Sequence, residues 1–63
     1  MSLSLVYERI DEDQPGHVVT RWKDEDGGAE FFQIFYADDW NNHKEACVKH
    51  AEIIREEMKR HKH

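Results

Sequence analysis

A change of hydrophobic period after Tyr36 constrains the fold of this chain more than any other feature. Before it lie three short runs rich in β-branched and aromatic residues, at about residues 3–10, 17–23 and 30–36, which are typical of β-strands. After it, apolar residues recur at spacings of three and four, which predicts one helix over about residues 41–61. We therefore predict an α+β fold of order β-β-β-α, in which a three-stranded antiparallel sheet packs on one C-terminal helix.

The connections between these runs support the same architecture. Pro15 and Gly16 mark a turn between the first two runs, and Gly27 and Gly28 follow an acidic turn between the second and third. Connections this short predict antiparallel hairpins. Asn42 and Glu45 have the spacing of a capping box at the start of the helix. At 63 residues the chain has room for one small core, so we expect residues 1–63 to form a single domain.

The register of the second hairpin predicts which side of the sheet is covered. If Asp26 and Gly27 form a two-residue turn, Lys23 faces Glu30, and all formal charges of the two strands fall on one face. The uncharged face is the cheaper one to bury under the helix. We expect the mixed face to stay open and to bind a partner through an apolar patch with cations beside it. The predicted partner-binding residues are Val19, Arg21, Lys23, Phe32, Ile34 and Tyr36.

The charge is divided unevenly along the chain. Residues 1–43 carry ten acidic and three basic side chains, whereas residues 44–63 carry four acidic and six basic ones, for a net charge of −5. The acidic clusters at residues 11–13 and 24–26 lack the ligand spacing of a calcium loop, so we interpret them as solvated turns. If the two turns lie close together, they form one negative patch that attracts a basic protein surface.

The cysteine content and the hydropathy indicate a compartment. A single cysteine allows no internal disulfide, which indicates a reducing environment. The sequence contains no apolar run of the roughly 18 residues that a membrane span requires. We expect a cytoplasmic protein that does not bind membranes and has no cofactor or small-molecule substrate.

One group of side chains on the predicted helix has a spacing that suits metal binding. His43, Cys47 and His50 stand at i, i+4 and i+7, and could present three ligands to zinc. No fourth ligand is evident, and Cys is among the most buried residue types, so we expect Cys47 to pack inward and no metal to bind. Cys47 also lacks an oxyanion hole and a third orienting group, so we expect no enzyme activity.

From Val18 onward the chain resembles the three-strand-plus-helix DNA-binding domains of tyrosine recombinase (integrase) arms and of ethylene-response-type, or Apetala-type, transcription factors. The residues that carry the resemblance are Val19 to Trp22 leading into the turn at residues 24–28, the end of the aromatic third strand at Phe35 to Ala37, Glu45 and Ala46 at the helix start, and Ala51 and Ile54 on later turns. The resemblance covers about two thirds of the chain. In that family the uncovered sheet face lies in the major groove, which implies that Arg21 and Lys23 contact DNA.

The third strand departs from that family pattern. Where such domains place several Arg and Lys residues, this chain has Glu30, Phe32, Ile34 and Tyr36. Phosphate neutralisation supplies most non-specific DNA affinity, and a net charge of −5 opposes it.

Two functional hypotheses follow, and a third possibility stays open. The first is a small non-catalytic binding module, of the accessory or regulatory kind found in phages and mobile elements, that engages a protein partner or forms a homodimer through the mixed face. The alternative is double-stranded DNA binding by the same face. The chain could also be a fragment that acts only when fused to a larger protein. In the DNA hypothesis the phosphate contacts come from Arg21, Lys23, Lys59, Arg60 and Lys62.

Overall fold

The computed structural model describes residues 2–61, which form three antiparallel strands followed by two helices. The elements are β1 (Leu3–Ile10), β2 (His17–Asp24), β3 (Glu30–Tyr36), α1 (Ala37–Asn42) and α2 (Lys44–Arg60). The strands form one sheet in the order β1-β2-β3. This arrangement confirms the predicted α+β class and the three antiparallel strands. Within residues 2–61, no helix is both long enough and apolar enough to cross a membrane.

The register between β2 and β3 is the predicted one, although the turn differs. Lys23 pairs with Glu30, and the pairing continues without interruption to His17 and Tyr36. The turn occupies residues 25–27, and Gly28 adopts a positive φ of 76° while its N–H donates to the carbonyl of Asp24. The expected two-residue turn is therefore wrong. The register survives because Asp24 still pairs with Ala29, so the loop of residues 25–28 has the same centre as a two-residue turn at residues 26 and 27.

A bulge in β1 changes which of its residues share a face. Leu5 pairs with Trp22 and Tyr7 pairs with Arg21, so Val6 is an extra residue without a partner in β2. Because of this extra residue, the alternation of side chains shifts by one position along β1. Tyr7 consequently lies on the same face as Arg21.

The single helix expected over residues 41–61 is replaced by two helices. Helix α1 begins directly after β3, and the chain breaks at His43, whose φ of −135° and ψ of 47° are not helical. Asn42 lies inside α1, so the expected capping box is wrong, and His43 occupies the N-cap of α2 without a side-chain cap bond. The acidic side chains of Asp38 and Asp39 in the first turn of α1 favour a helix start there.

The core lies between one face of the sheet and the two helices. Trp40 of α1 is at its centre, where the ring stacks on Phe35 with centroids 5.7 Å apart and meets Trp22 edge to face at 6.1 Å. The indole N–H of Trp40 donates to the Glu8 carboxylate. The face predicted to be buried is thus the covered one, and the carboxylates of Glu8 and Asp24 also lie on it. The buried cluster consists of Val18, Trp22, Phe31, Trp40, Cys47 and Ala51.

The buried hydroxyl of Thr20, on the covered face, donates one hydrogen bond and accepts another. Thr20 donates from Oγ1 to the Gln33 carbonyl at 2.8 Å and accepts the Trp22 indole N–H at 2.7 Å. Burial without such partners would cost free energy. Thr20 therefore fixes the Trp22 ring and the β2–β3 register together.

Candidate binding face of the sheet

The face of the sheet opposite the helices, called the open face here, carries alternate residues of all three strands. The helices of residues 2–61 pack on the other side, so the open face lies against solvent. Its exposed apolar side chains are large: Phe32 is 50% exposed, Ile34 48% and Tyr36 64%. By the observed pairing, the open face consists of Ser4, Tyr7, Arg9, His17, Val19, Arg21, Lys23, Glu30, Phe32, Ile34 and Tyr36.

Aromatic contacts join the apolar side chains across the strands. The rings of Tyr7 and Phe32 meet edge to face over Arg21, with centroids 6.4 Å apart. The Tyr36 ring packs at 4.9 Å from His17. We call Tyr7, Phe32, Ile34 and Tyr36 the apolar ridge. Contiguous exposed apolar side chains with a polar rim mark binding surfaces more often than isolated ones do.

The basic residues of the acidic segment, residues 1–43, all lie on this face. Residues 1–43 contain three basic side chains, Arg9, Arg21 and Lys23, and the strand pairing puts all three on the open face. Of the ten acidic side chains in the same segment, Glu30 stands on the open face, and Glu25 reaches its margin, where its Oε1 accepts the Ser4 hydroxyl at 2.6 Å. The open face is therefore locally positive in a chain whose net charge is −5.

Arg21 is held in place at the centre of the face. Its Nε donates to Glu30 Oε1 at 2.6 Å, and its guanidinium carbon lies 4.7 Å from the centre of the Phe32 ring. The hydrogen bond to Glu30 raises the pKa of Arg21, and the same bond lowers the pKa of Glu30. A guanidinium fixed on an aromatic ring loses little further side-chain freedom when a partner binds.

The predicted contact residues differ in how much surface they offer. Val19 lies on the open face between Arg9 and Ile34 but is only 7% exposed, so it supports the face and offers a partner almost no area. Sequence reasoning missed Tyr7 and Arg9. The signal was present in β1, where apolar residues occupy odd positions at Leu3 and Leu5 and an even position at Ile10, but a single bulge is hard to place from alternation alone.

The cations at the C-terminal end of α2 lie on the helix side of the sheet. Lys59 Nζ is 3.4 Å from Asp24 Oδ2, and Asp24 points into the covered face. Arg60 forms an ion pair with Glu57 at 3.4 Å, and Lys62 lies outside the described residues. The DNA hypothesis requires these cations to contact the same duplex as Arg21 and Lys23. Lys59 and Arg21, however, lie on opposite sides of the sheet.

The two acidic turns do not form one patch. Residues 11–16 connect β1 to β2 and residues 25–29 connect β2 to β3, so the turns lie at opposite ends of the sheet, about 25 Å apart for an eight-residue strand. The expectation of solvated turns also fails for Asp11, which is buried, and for Asp24, which is fully buried. Its carboxylate accepts the Arg55 Nε–H at 2.8 Å, and this bond is the main reason that the pKa of Asp24 falls to about 2.

An open groove of about 760 Å³ lies between the C-terminal part of β3 and the helices, and it includes His43, Cys47 and His50. The ring of His50 packs edge to face against Phe35 at 5.9 Å. Within residues 2–61, no three His, Cys, Asp or Glu side chains are arranged to hold a metal ion. Burial, with a smaller contribution from Asp39, raises the pKa of the Cys47 thiol, which disfavours the thiolate that nucleophilic chemistry needs.

Comparison with known proteins finds no matching family model, curated protein or solved structure.

Proposed function

We propose that the chain is a small non-catalytic binding module that engages a protein partner through the open face. One observation supports the proposal: the apolar ridge and all three cations of residues 1–43 lie together on one uncovered face. We also propose that the protein is cytoplasmic, because its sole cysteine, Cys47, is buried and free.

The chemistry of the face specifies the partner. Arg9, Arg21 and Lys23 favour a surface with carboxylates, and the ridge favours apolar side chains between those carboxylates. A second copy placed face to face would set these cations against the same cations, which is unfavourable. The partner is therefore a different protein with an acidic and apolar surface.

Two features favour a protein over duplex DNA on this face. The apolar ridge covers much of β3, where a DNA-binding sheet would carry phosphate contacts. Exposed acids also stand at both ends of the sheet, at Glu12 and Asp13 on one end and Glu25 and Asp26 on the other. A duplex that runs past both ends of the sheet would meet these carboxylates.

The test begins with identification of the partner by a photo-crosslinking amino acid placed at Phe32, with the same amino acid at Ile53 as a control. Ile53 is 57% exposed and lies on α2, away from the sheet. The protein captured from Phe32 alone is then purified, and its affinity is measured by calorimetry for Phe32→Asp, Lys23→Glu and the matched Ile53→Asp variant.

We expect each open-face variant to bind about 30-fold more weakly, as for a residue at the centre of an interface, and Ile53→Asp to bind like wild type. Equal affinity of the purified partner for all three variants would contradict the proposal. So would capture of the same protein from both crosslinker positions.

Double-stranded DNA is the second candidate, and the grouping of Arg9, Arg21 and Lys23 is the observation in its favour. Three phosphate contacts give a slope of about −2.7 for log affinity against log salt, at −0.9 per contact. Fluorescence anisotropy with a 20-base-pair duplex over a salt series measures that slope. Absence of binding at 20 mM salt eliminates the DNA hypothesis.

A further inference from the structure

We propose that two copies of this chain associate through the outer edge of β3 and form one continuous six-stranded antiparallel sheet. This interface forms through the backbone edge of β3 and lies beside the open face, to which Phe32, Ile34 and Tyr36 also belong. It does not depend on the function proposed above. The sheet order β1-β2-β3 leaves β3 with one edge that no strand of residues 2–61 pairs with.

The hydrogen-bonding groups on that edge can be assigned from the register. Asp24 N–H donates to the Ala29 carbonyl at 2.8 Å, so this pair is a hydrogen-bonded one. Hydrogen-bonded pairs alternate along an antiparallel ladder, which turns the backbone groups of Phe31, Gln33 and Phe35 toward β2. The N–H and C=O groups of the intervening residues point outward. These residues are Glu30, Phe32, Ile34 and Tyr36.

The edge of β3 lacks the features by which proteins usually block strand addition. Its seven residues contain no Pro, no Lys and no bulge, and its one charged residue, Glu30, stands at the first position. The other edge strand, β1, is interrupted by the bulge at Val6, which breaks the regular spacing of backbone groups. Strand addition is therefore favoured at β3.

The sequence of β3 is complementary to itself. A two-fold axis at Gln33 pairs all seven residues and sets Phe32 opposite Ile34 of the second copy, and Glu30 opposite Tyr36. In each of these pairs both residues have outward backbone groups, so the ladder hydrogen bonds form. No like charges face each other. Centring the axis on Phe32 or Ile34 leaves part of the strand unpaired, so the register at Gln33 is the favoured one.

The pairing also gives each exposed side chain a suitable neighbour. Phe32 and Ile34 are each about half exposed in the single chain, and an aromatic and a β-branched side chain opposite each other stabilise a strand pair. On the helix side, Phe35 faces Phe31 of the second copy. The occupant of this edge is thus a second copy of the same chain.

The first test is a disulfide scan of the edge in the full chain. Gln33→Cys places the new thiol opposite itself in a non-hydrogen-bonded pair, where Cα atoms are about 4.5 Å apart and a disulfide forms readily. Phe32→Cys is the matched control, because its thiol faces Ile34. We expect mild oxidation to crosslink Gln33→Cys at least tenfold faster than Phe32→Cys, and the wild-type chain with buried Cys47 to stay uncrosslinked.

The second test measures association by sedimentation equilibrium. We expect wild type to reach twice the monomer mass of 7.6 kDa at high micromolar concentration. Tyr36→Glu sets a carboxylate opposite Glu30 and weakens the dimer, whereas Tyr36→Lys sets a cation there and retains it, with about a tenfold difference in dimer Kd. A monomeric wild type at 500 μM, or equal crosslinking of the two cysteine variants, would overturn the proposal.

Discussion

At the scale of single residues, Asp24 differs most from its expected environment. The sequence predicts that it lies in a solvated turn, but it ends β2 and its carboxylate is buried in the core. Arg55 and Lys59 both reach its Oδ2, and its Oδ1 accepts the backbone N–H of Asp26 at 3.0 Å. The carboxylate thus connects α2 to the end of β2 and closes the turn. Its burial without these partners would be strongly unfavourable.

The depressed pKa of Asp24 predicts a specific acid sensitivity. The ion pair with Arg55 lowers the pKa to about 2 from an ordinary value of 3.8, so its stabilising contribution is complete above pH 4 and is lost as the pH falls toward 2. We expect Asp24→Asn to lower the melting temperature at pH 7 and to flatten its fall between pH 4 and pH 2.

Thermal unfolding followed by circular dichroism from pH 7 to pH 2 measures both effects. Asp13→Asn, which changes an exposed carboxylate in the other acidic turn, serves as the control and should keep the wild-type pH profile. An Asp24→Asn profile parallel to that of wild type would show that the ion pair contributes nothing to acid stability.

At the scale of elements, the short helix α1 and the break at His43 distinguish the structure from the predicted single helix. Helix α1 has six residues, fewer than two turns, and one of them, Trp40, is buried. A segment this short cannot display a helical period. Its position is decided by Trp40, which packs on Phe35 and Trp22 and donates to Glu8.

Helix α2 contributes a small, fully buried residue to the core, which gives a prediction about packing. Ala51 has no exposed surface, whereas Ala46 on the same helix is exposed. We expect Ala51→Leu to lower the free energy of unfolding by about 1–3 kcal/mol through overpacking. Ala46→Leu should change it by less than about 0.5 kcal/mol.

Urea denaturation followed by tryptophan fluorescence measures this difference, because both Trp22 and Trp40 are buried in the core. The two variants are matched in helix propensity change and in added volume. Similar unfolding free energies for both would mean that α2 does not pack through Ala51.

At the scale of the whole molecule, buried residues are concentrated in the central strand, β2. Five of the eight residues of β2 are buried, and β2 is paired on both sides, whereas every residue of β1 is exposed or half-buried. Stability within a domain follows this local density of burial and hydrogen bonding. The molecule thus has a stable centre and a weaker edge at β1.

Native-state hydrogen exchange followed by NMR is the measurement at this scale. We expect the amides of β2 to exchange slowest, with protection close to that for global unfolding, and those of β1 to be the least protected of the ladder amides. Protection of β1 equal to that of β2 would indicate that β1 is covered in solution, and association through β1 would then replace association through β3.

Local periods and the charges of Arg21, Lys23 and Glu30 suffice to predict the three strands, the α+β class, the β2–β3 register and the covered face. The roles of Trp40, Asp24 and the β1 bulge become visible in the folded chain alone. Each of these depends on contacts between residues at least 14 positions apart, such as Trp40 with Glu8, Asp24 with Arg55 and Tyr7 with Arg21. Periodicity reports on neighbours along the chain and contains no information about such distant partners.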